Sequence, residues 1–431
     1  MDEFLNFNIN GVDLGKTVYD HCIRYSGIGT TNIFTRIFYA NLAKAFLVHH
    51  QMEKYFKKYN FICSVQGENQ FIPGAIMFQS ALKNGVNVYS KFGKSNSFTV
   101  RKCTNIDQKY TSRDRFSKKI YELININIKK KAVEIGGEMI NKRFDTIPGY
   151  ESFNERFELP EYERGKKFKK IEKKDFTKEE LCKRLGWKTN YPIAVIFATD
   201  LTDGVFNSSS WTVFRDRLTW LRETLYEIKK ITNVNWLVKP HPNDEIYGVV
   251  TSTISEYENI CLNLDHIKIF PEDVSKRSIT KFIDAALTLN GSAASEYPCF
   301  GIPTIVPKES AVSGYGFTVE PKSKDEFFYE LKNIRELKKL NIQQVELAKI
   351  YIFIYLKLAP VTSNLIAPHE KPYVDEKNYW NEMVKLLDKY NYKDDLLMKM
   401  MKIQETNNDT HSINYEMITN KRFDTTINEL I

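Results

Sequence analysis

The 431-residue chain lacks any apolar run long enough to cross a membrane. Its longest candidate, IYIFIYL at 350–356, falls far short of the ~20 residues a spanning helix needs. Its start, MDEFLNFNINGVDLGK, is acidic and has no apolar core behind a basic head. No secretory signal is therefore expected, and the expected location is cytoplasmic. Cysteine is scarce and scattered: Cys22, Cys63, Cys103, Cys182, Cys261 and Cys299 form no C-x-x-C pair and have no histidine at metal spacing. That spacing excludes a disulfide framework or zinc module and predicts reduced, structural thiols.

With 42% hydrophobic and 27% charged residues, the composition is that of an ordinary globular protein, and the length suits two domains. The net charge of +8 is concentrated at 163–178 (ERGKKFKKIEKKDFTK) and 127–135 (NIKKKAVEI). These runs read as solvated faces or as a surface for anionic lipid headgroups or a polyanionic glycan. They lack the interleaved aromatics and modules of nucleic-acid binding, so no nucleic-acid partner is expected.

Along the chain, YNFICSVQG (59–67) and the segment 69–93 predict strand, helix and strand, with Ile76, Met77, Ser80 and Ala81 at helical spacing and Gly85 closing the helix. A second α/β series follows the basic stretch. YPIAVIFAT (191–199), VNWLVK (234–239), HIKIF (266–270), AALTL (285–289) and IPTIV (302–306) predict strands, and Phe214, Leu218, Leu221, Leu225 and Ile228 mark a helix between the first two. Alternation of this kind predicts a parallel sheet with helices on both faces. Residues 323–357 and 376–403 predict helices, with Met398, Met400 and Met401 as core filler, and the tail beyond 404 is polar. The expected divisions are 1–180, 181–375 and 376–431. EMINKRFDT (138–146) recurs as EMITNKRFDT (416–425), for which the sequence offers no physical reason.

In open α/β sheets ligands collect beyond the carboxyl ends of the strands. Two stretches fall there. Lys239-Pro240-His241-Pro242 follows VNWLV, and the prolines fix a turn that aims a ring nitrogen; Lys239 adds a cation. His241 could meet a phosphate as a charged or a neutral donor, or be a satisfied loop histidine. After AALTL, Gly291, Ser292, Ala293 and Ser295 open a helix with small residues that let main-chain N–H groups approach an anion, and Glu296 is placed to accept from a ribose. A plain serine N-cap is the alternative there.

Together, KPHP and NGSAASEYPCFGIPTIV resemble the GT-B glycosyltransferases of the capsule and surface-carbohydrate type, related to Kdo transferases and teichoic-acid glycerophosphotransferases. Gly301 and Pro303 fit the same pattern. INGVDLGKTVYDHCIRY (9–25) resembles the opening of that group, although Lys16 stands where an acidic residue is usual. The likeness covers 192–306 and, more loosely, 9–25. It implies an α/β GT-B fold, with two Rossmann-like domains facing across a cleft and C-terminal helices. It also implies transfer of a sugar from a CMP-Kdo-like, CDP- or UDP-linked donor to a growing capsule or lipopolysaccharide glycan. The basic stretches suggest an acceptor carried on a lipid at the inner membrane face.

The chain has no Asp-x-Asp, the usual carboxylate clamp for a nucleotide-bound cation, so metal-independent transfer without a cofactor is expected. The acceptor needs a general base from the N-terminal side. Glu68, after the first strand, is one candidate; Asp20, with Arg24 near it in the first long helix, is another. Asp200 and Asp203, after the strand ending at Thr199, read as a solvated turn, with lining of the cleft from the other domain as the alternative. A nucleotide-sugar epimerase of the UDP-N-acetylglucosamine 2-epimerase kind and a non-catalytic glycan-binding or scaffold protein are the alternative functions.

Overall fold

The computed structural model describes residues 1–32, 34–67, 69–94, 97–110, 121, 126–145, 173–206, 209–241, 244, 250–365 and 376–406. It is a mixed α/β structure whose described strands form two sheets.

The first sheet has three strands, β1 (Ser64–Gln66), β2 (Val88–Lys94) and β3 (Ser97–Cys103). β1 and β2 run parallel, Ser64 facing Val88, and the helix Gly74–Lys83 crosses between them as the sequence predicts. β3 returns antiparallel to β2, so this sheet departs from the all-parallel pattern of a Rossmann-like half. Ahead of it lie the helices Leu14–Ser26 and Arg36–Lys58, the second opened by Thr35, whose hydroxyl accepts from the Phe38 N–H at 3.2 Å. Val18, Cys22, Phe38, Ala45, Ile72 and Ile76 make the small core that joins these helices.

The second sheet contains β4 (Ile193–Phe197), β5 (Asn235–Lys239), β6 (Ile267–Ile269), β7 (Ala285–Leu287) and β8 (Thr304–Ile305), all parallel in the order β6-β5-β4-β7-β8. Successive residues of a strand face opposite sides, and here both sides are dry. Ile193, Val195 and Leu237 enter one core, and Ala194, Ile196, Trp236 and Val238 enter the other. That is why these strands read as continuous apolar runs instead of alternating ones. The helix Arg217–Ile228 covers the second core with Leu218, Leu221, Leu225 and Ile228, and its start is capped by Asp216, which accepts from the Thr219 N–H at 2.6 Å.

Chain order and packing diverge at two places. The helix Ile126–Phe144 precedes the expected division at 180, yet Ile140 and Phe144 belong to a core of the second sheet. It crosses the helix Ile342–Phe353 closely at Gly136, where a Cβ would lie 2.0 Å from the Lys349 carbonyl oxygen. Conversely, the helix Leu396–Thr406 returns to the first sheet, where Met400 packs with Val100 and Lys102 pairs with Glu405 at 2.9 Å. The helix expected through 376–403 is two helices, Glu376–Leu387 and Leu396–Thr406, because Asp395 caps the second: it accepts from the Met398 N–H at 3.1 Å and the Ser363 hydroxyl at 2.8 Å. Of the three methionines expected in the core there, Met400 is buried and Met398 is exposed.

Candidate functional site

β5 and β6 lie on one side of β4, and β7 and β8 lie on the other. The connections therefore reverse direction at β4 and β7, and the carboxyl ends of strands at such a reversal are where ligands collect in open α/β sheets. The ladders run slightly past the strands: Ala198 donates to the Lys239 carbonyl at 3.0 Å, and Thr288 to the Ile305 carbonyl at 3.1 Å. Thr199 and Asp200, His241, and Thr288 to Ser292 thus emerge from one edge.

Gly291 shows how closely they approach. A Cβ there would lie 2.7 Å from the Thr288 hydroxyl, and the Thr199 methyl comes next at 3.8 Å. Its own N–H donates to Thr288 Oγ1 at 3.0 Å. Ser292 is exposed at the mouth, while Ala293, Ala294, Ser295 and Glu296 are buried behind it. Ser292 makes no side-chain cap bond, so it is not a plain N-cap. The helix it opens is short, however. Ala293–Glu296 is followed by the 3-10 turn Tyr297–Phe300, and so brief an element adds little dipole for an anion. Ser295 turns inward, its hydroxyl donating to the Ser292 carbonyl at 3.1 Å.

Glu296 differs from its expected role. It is buried and paired with Arg143 of the Ile126–Phe144 helix at 2.7 Å, so it serves as a structural counter-ion instead of an open ribose acceptor. This also gives the first copy of the near repeat a physical use. Arg143 holds Glu296, Phe144 packs on Tyr297 and Phe300, and Asp145 meets Arg277 at 3.3 Å. The second copy lies outside the described residues.

Lys239 ends β5 beside the Phe270 ring, 5.3 Å from its centroid. Burial, together with Lys276 and Lys173 close by, lowers its pKa to about 8 against the pull of Glu272 and Glu296. Cations and carboxylates thus both lie around the end of β5. His241 is half-buried, and burial lowers its pKa to about 4; Asp200 and Asp203 pull upward while Arg217 and Lys239 push down. It is therefore neutral at pH 7 and would meet a phosphate as a neutral N–H donor, one of the two modes its sequence setting allows. Pro242 lies outside the described residues, as does Glu68.

Asp20 is fully buried, and its two oxygens accept from the Val205 and Phe206 N–H groups at 3.0 and 2.9 Å. Such a carboxylate clamps a loop; its lone pairs are not turned to an acceptor hydroxyl, contrary to expectation. Arg24, one turn on, pairs with Asp200 at 2.9 Å. The first long helix is thereby tied to the loop after β4.

Asp200 is no solvated turn. Against burial, which would raise its pKa, hydrogen bonds from Thr202 and the nearby Arg217 and Arg24 hold it below the usual carboxylate range. Asp203 pairs with Arg217 at 3.0 Å. Two further members of this cluster escaped sequence reasoning. Arg217 begins the helix after β4 and also donates to the Gly204 carbonyl at 3.3 Å. Lys308, three residues past β8, is fully buried; burial and Arg217 lower its pKa to about 7 against Asp20, Glu309 and Asp203. Its one sequence signal is a lysine set directly behind the apolar run IPTIV and a proline.

Among the described residues no group of three or more His, Cys, Asp or Glu side chains could hold a metal ion, and no helix is long and apolar enough to cross a membrane.

No family model and no curated protein matches the chain. Three of the solved structures similar to it span most of its length. Thermosulfurimonas dismutans KpsC, a beta Kdo 2,4 transferase, is 11% identical with a TM-score of 0.39, over 77% of this chain and 91% of that one. The beta Kdo 2,7 transferase of the same KpsC is 14% identical with a TM-score of 0.39, over 74% and 83%. The S. aureus MnaA–UDP structure is 11% identical with a TM-score of 0.31, over 75% and 77%.

Proposed function

We propose that the protein is a glycosyltransferase that takes a sugar from a nucleotide-linked donor held at the carboxyl edge of the five-stranded sheet. The observation that supports this reading is that Lys239 and His241, after β5, and the Gly291–Ser292 turn, after β7, leave the same carboxyl edge on either side of β4, with the Thr199 methyl after β4 3.8 Å from where a Cβ at Gly291 would lie. Lys239 and Lys276 would meet the donor phosphates. His241 would donate a neutral N–H, and Ser292 its hydroxyl, to the oxygen on which charge grows as the glycosidic bond to phosphate breaks. Asp20 is a positioning residue in this scheme, and Glu68 is the proposed general base for the acceptor hydroxyl. The proposed donor is CMP-Kdo-like, or CDP- or UDP-linked, and the proposed acceptor is a capsule or lipopolysaccharide glycan.

Nucleotide release from CMP-Kdo and from CDP- and UDP-sugars, followed with and without glycan acceptor, tests the reading. Acceptor-dependent release with one donor, lost in His241→Ala and in Ser292→Ala at unchanged folding, is expected. Sugar conversion without acceptor would assign an epimerase instead, and full activity in both variants would remove the site.

A further inference from the structure

One helix grips the loop after β4 at both ends. Asp20 and Arg24 stand one turn apart on the Leu14–Ser26 helix and so share a face. Asp20 takes the Val205 and Phe206 amides, and Arg24 Nη1 donates to Asp200 Oδ2 at 2.9 Å. The other oxygen of Asp200 is also engaged, accepting from the Thr202 N–H at 3.0 Å and the Thr202 hydroxyl at 2.9 Å. The Asp200 side chain is 8% exposed and that of Arg24 22%, so the pair acts through protein more than through water.

Asp200 puts a negative charge at the edge where a phosphate is to bind. Phe197 of β4 is registered on Lys239 of β5, and Ala198 donates to the Lys239 carbonyl at 3.0 Å. The two chains therefore leave the sheet side by side, which brings Asp200 near His241. The charges around the ring come from three elements: Asp200 and Asp203 from the loop after β4, Arg217 from the helix that follows, and Lys239 from β5. Among them Asp200 acts most strongly. Asp203 is paired with Arg217 at 3.0 Å, and on the histidine's own side of the turn Asp244 accepts from the Thr253 N–H at 3.0 Å. Asp200 instead draws a cation from 176 positions earlier in the chain. Without it, the carboxylate would pull a proton onto His241 and repel a phosphate at the same edge.

We propose that Arg24 is a positioning residue for the donor site: held on Asp200, it keeps that carboxylate from charging His241 and from opposing an incoming phosphate. The phosphate half of this inference rests on the proposed donor site, whereas the histidine half does not. In this arrangement the Leu14–Ser26 helix acts on the donor edge without touching the ligand.

Three variants of the full chain test it: Arg24→Met, Arg24→Lys and Arg24→Met/Asp200→Asn, in which Asn keeps an oxygen for the Thr202 N–H. In an NMR titration of the histidine rings, with His241 assigned against His241→Ala, the ring should titrate at a higher pH in Arg24→Met. It should return toward the wild-type value in Arg24→Lys and to that value or below it in the double variant. By calorimetry with CMP, CDP and UDP, the nucleotide that binds the wild type should bind Arg24→Met about tenfold more weakly, and the double variant should recover most of that loss. A merely structural ion pair would lower the melting temperature and leave the His241 titration unmoved. That result would overturn the proposal, as would a loss of affinity in the double variant equal to that in Arg24→Met. If the wild type binds none of the three nucleotides, the donor reading falls and the His241 titration alone decides the role of Arg24.

Discussion

The two sheets are made on opposite principles. β4 to β8 stand between two dry cores, with their chemistry confined to one edge. The first region rests on smaller clusters, and its Leu14–Ser26 helix is tied to the loop after β4 and to Asp216 by polar contacts: Asp20 on the Val205 and Phe206 amides, Arg24 on Asp200, and the Tyr19 hydroxyl on Asp216 at 2.6 Å. Substitutions within β4 to β8 should therefore act through stability, and those at the join through the placing of the loops at the carboxyl edge.

The sharpest contrast should come from two leucines. Leu237→Ala, within β5, is expected to cost about 2–5 kcal/mol, whereas Leu47→Ala at an exposed position of the Arg36–Lys58 helix should change stability by less than about 0.5 kcal/mol. Denaturant unfolding reads both, and comparable losses would erase the distinction. Next in size, Arg143→Ala leaves the Glu296 carboxylate buried without its partner, for an expected cost of about 3 kcal/mol that Arg143→Lys recovers in part. Asp20→Asn keeps the shape but offers one amide donor to an N–H that needs an acceptor. It should cost about 2 kcal/mol and speed hydrogen exchange at Val205 and Phe206 before the β4 amides are affected.

The smallest effect is on pH dependence, and it has one contributor in each region. His21 and His241 both have pKa values lowered to about 4 by burial, from an ordinary 6.5. The unfolded chain therefore takes up their protons first, and stability should fall as pH drops from 6.5 toward 4. His21→Phe should flatten part of that fall and leave nucleotide affinity unchanged, which a thermal melt at each pH would check.

The second series of strands was legible because strands buried on both faces leave unbroken apolar runs between turn residues, as IAVIF and NWLVK do. Pro240 and His241, and Asn290 to Ser292, were legible as loops for the same reason: they follow such runs directly. What stayed hidden depends on contacts distant in sequence. Nothing near Glu296 announces Arg143, 153 positions earlier, and nothing near Asp20 announces the 205–206 amides it holds. Asp200 and Asp203 resemble a polar turn until Arg24 of the first long helix pairs with the one and Arg217 with the other. The helix break before Leu396 was missed because Asp395 sits within a run of otherwise helix-compatible residues, and its cap is completed by Ser363 from far away.

If His241 and the Gly291–Ser292 turn form one nucleotide site, as proposed, titration calorimetry with CMP, CDP and UDP will show it. One of these nucleotides should bind the wild type, and His241→Ala should weaken it by about ten- to a hundredfold, the worth of one hydrogen bond to a charged group, at an unchanged melting temperature. Equal affinity in the variant, or no binding of any of the three by the wild type, would contradict the account and leave the proline-flanked histidine as a structural turn.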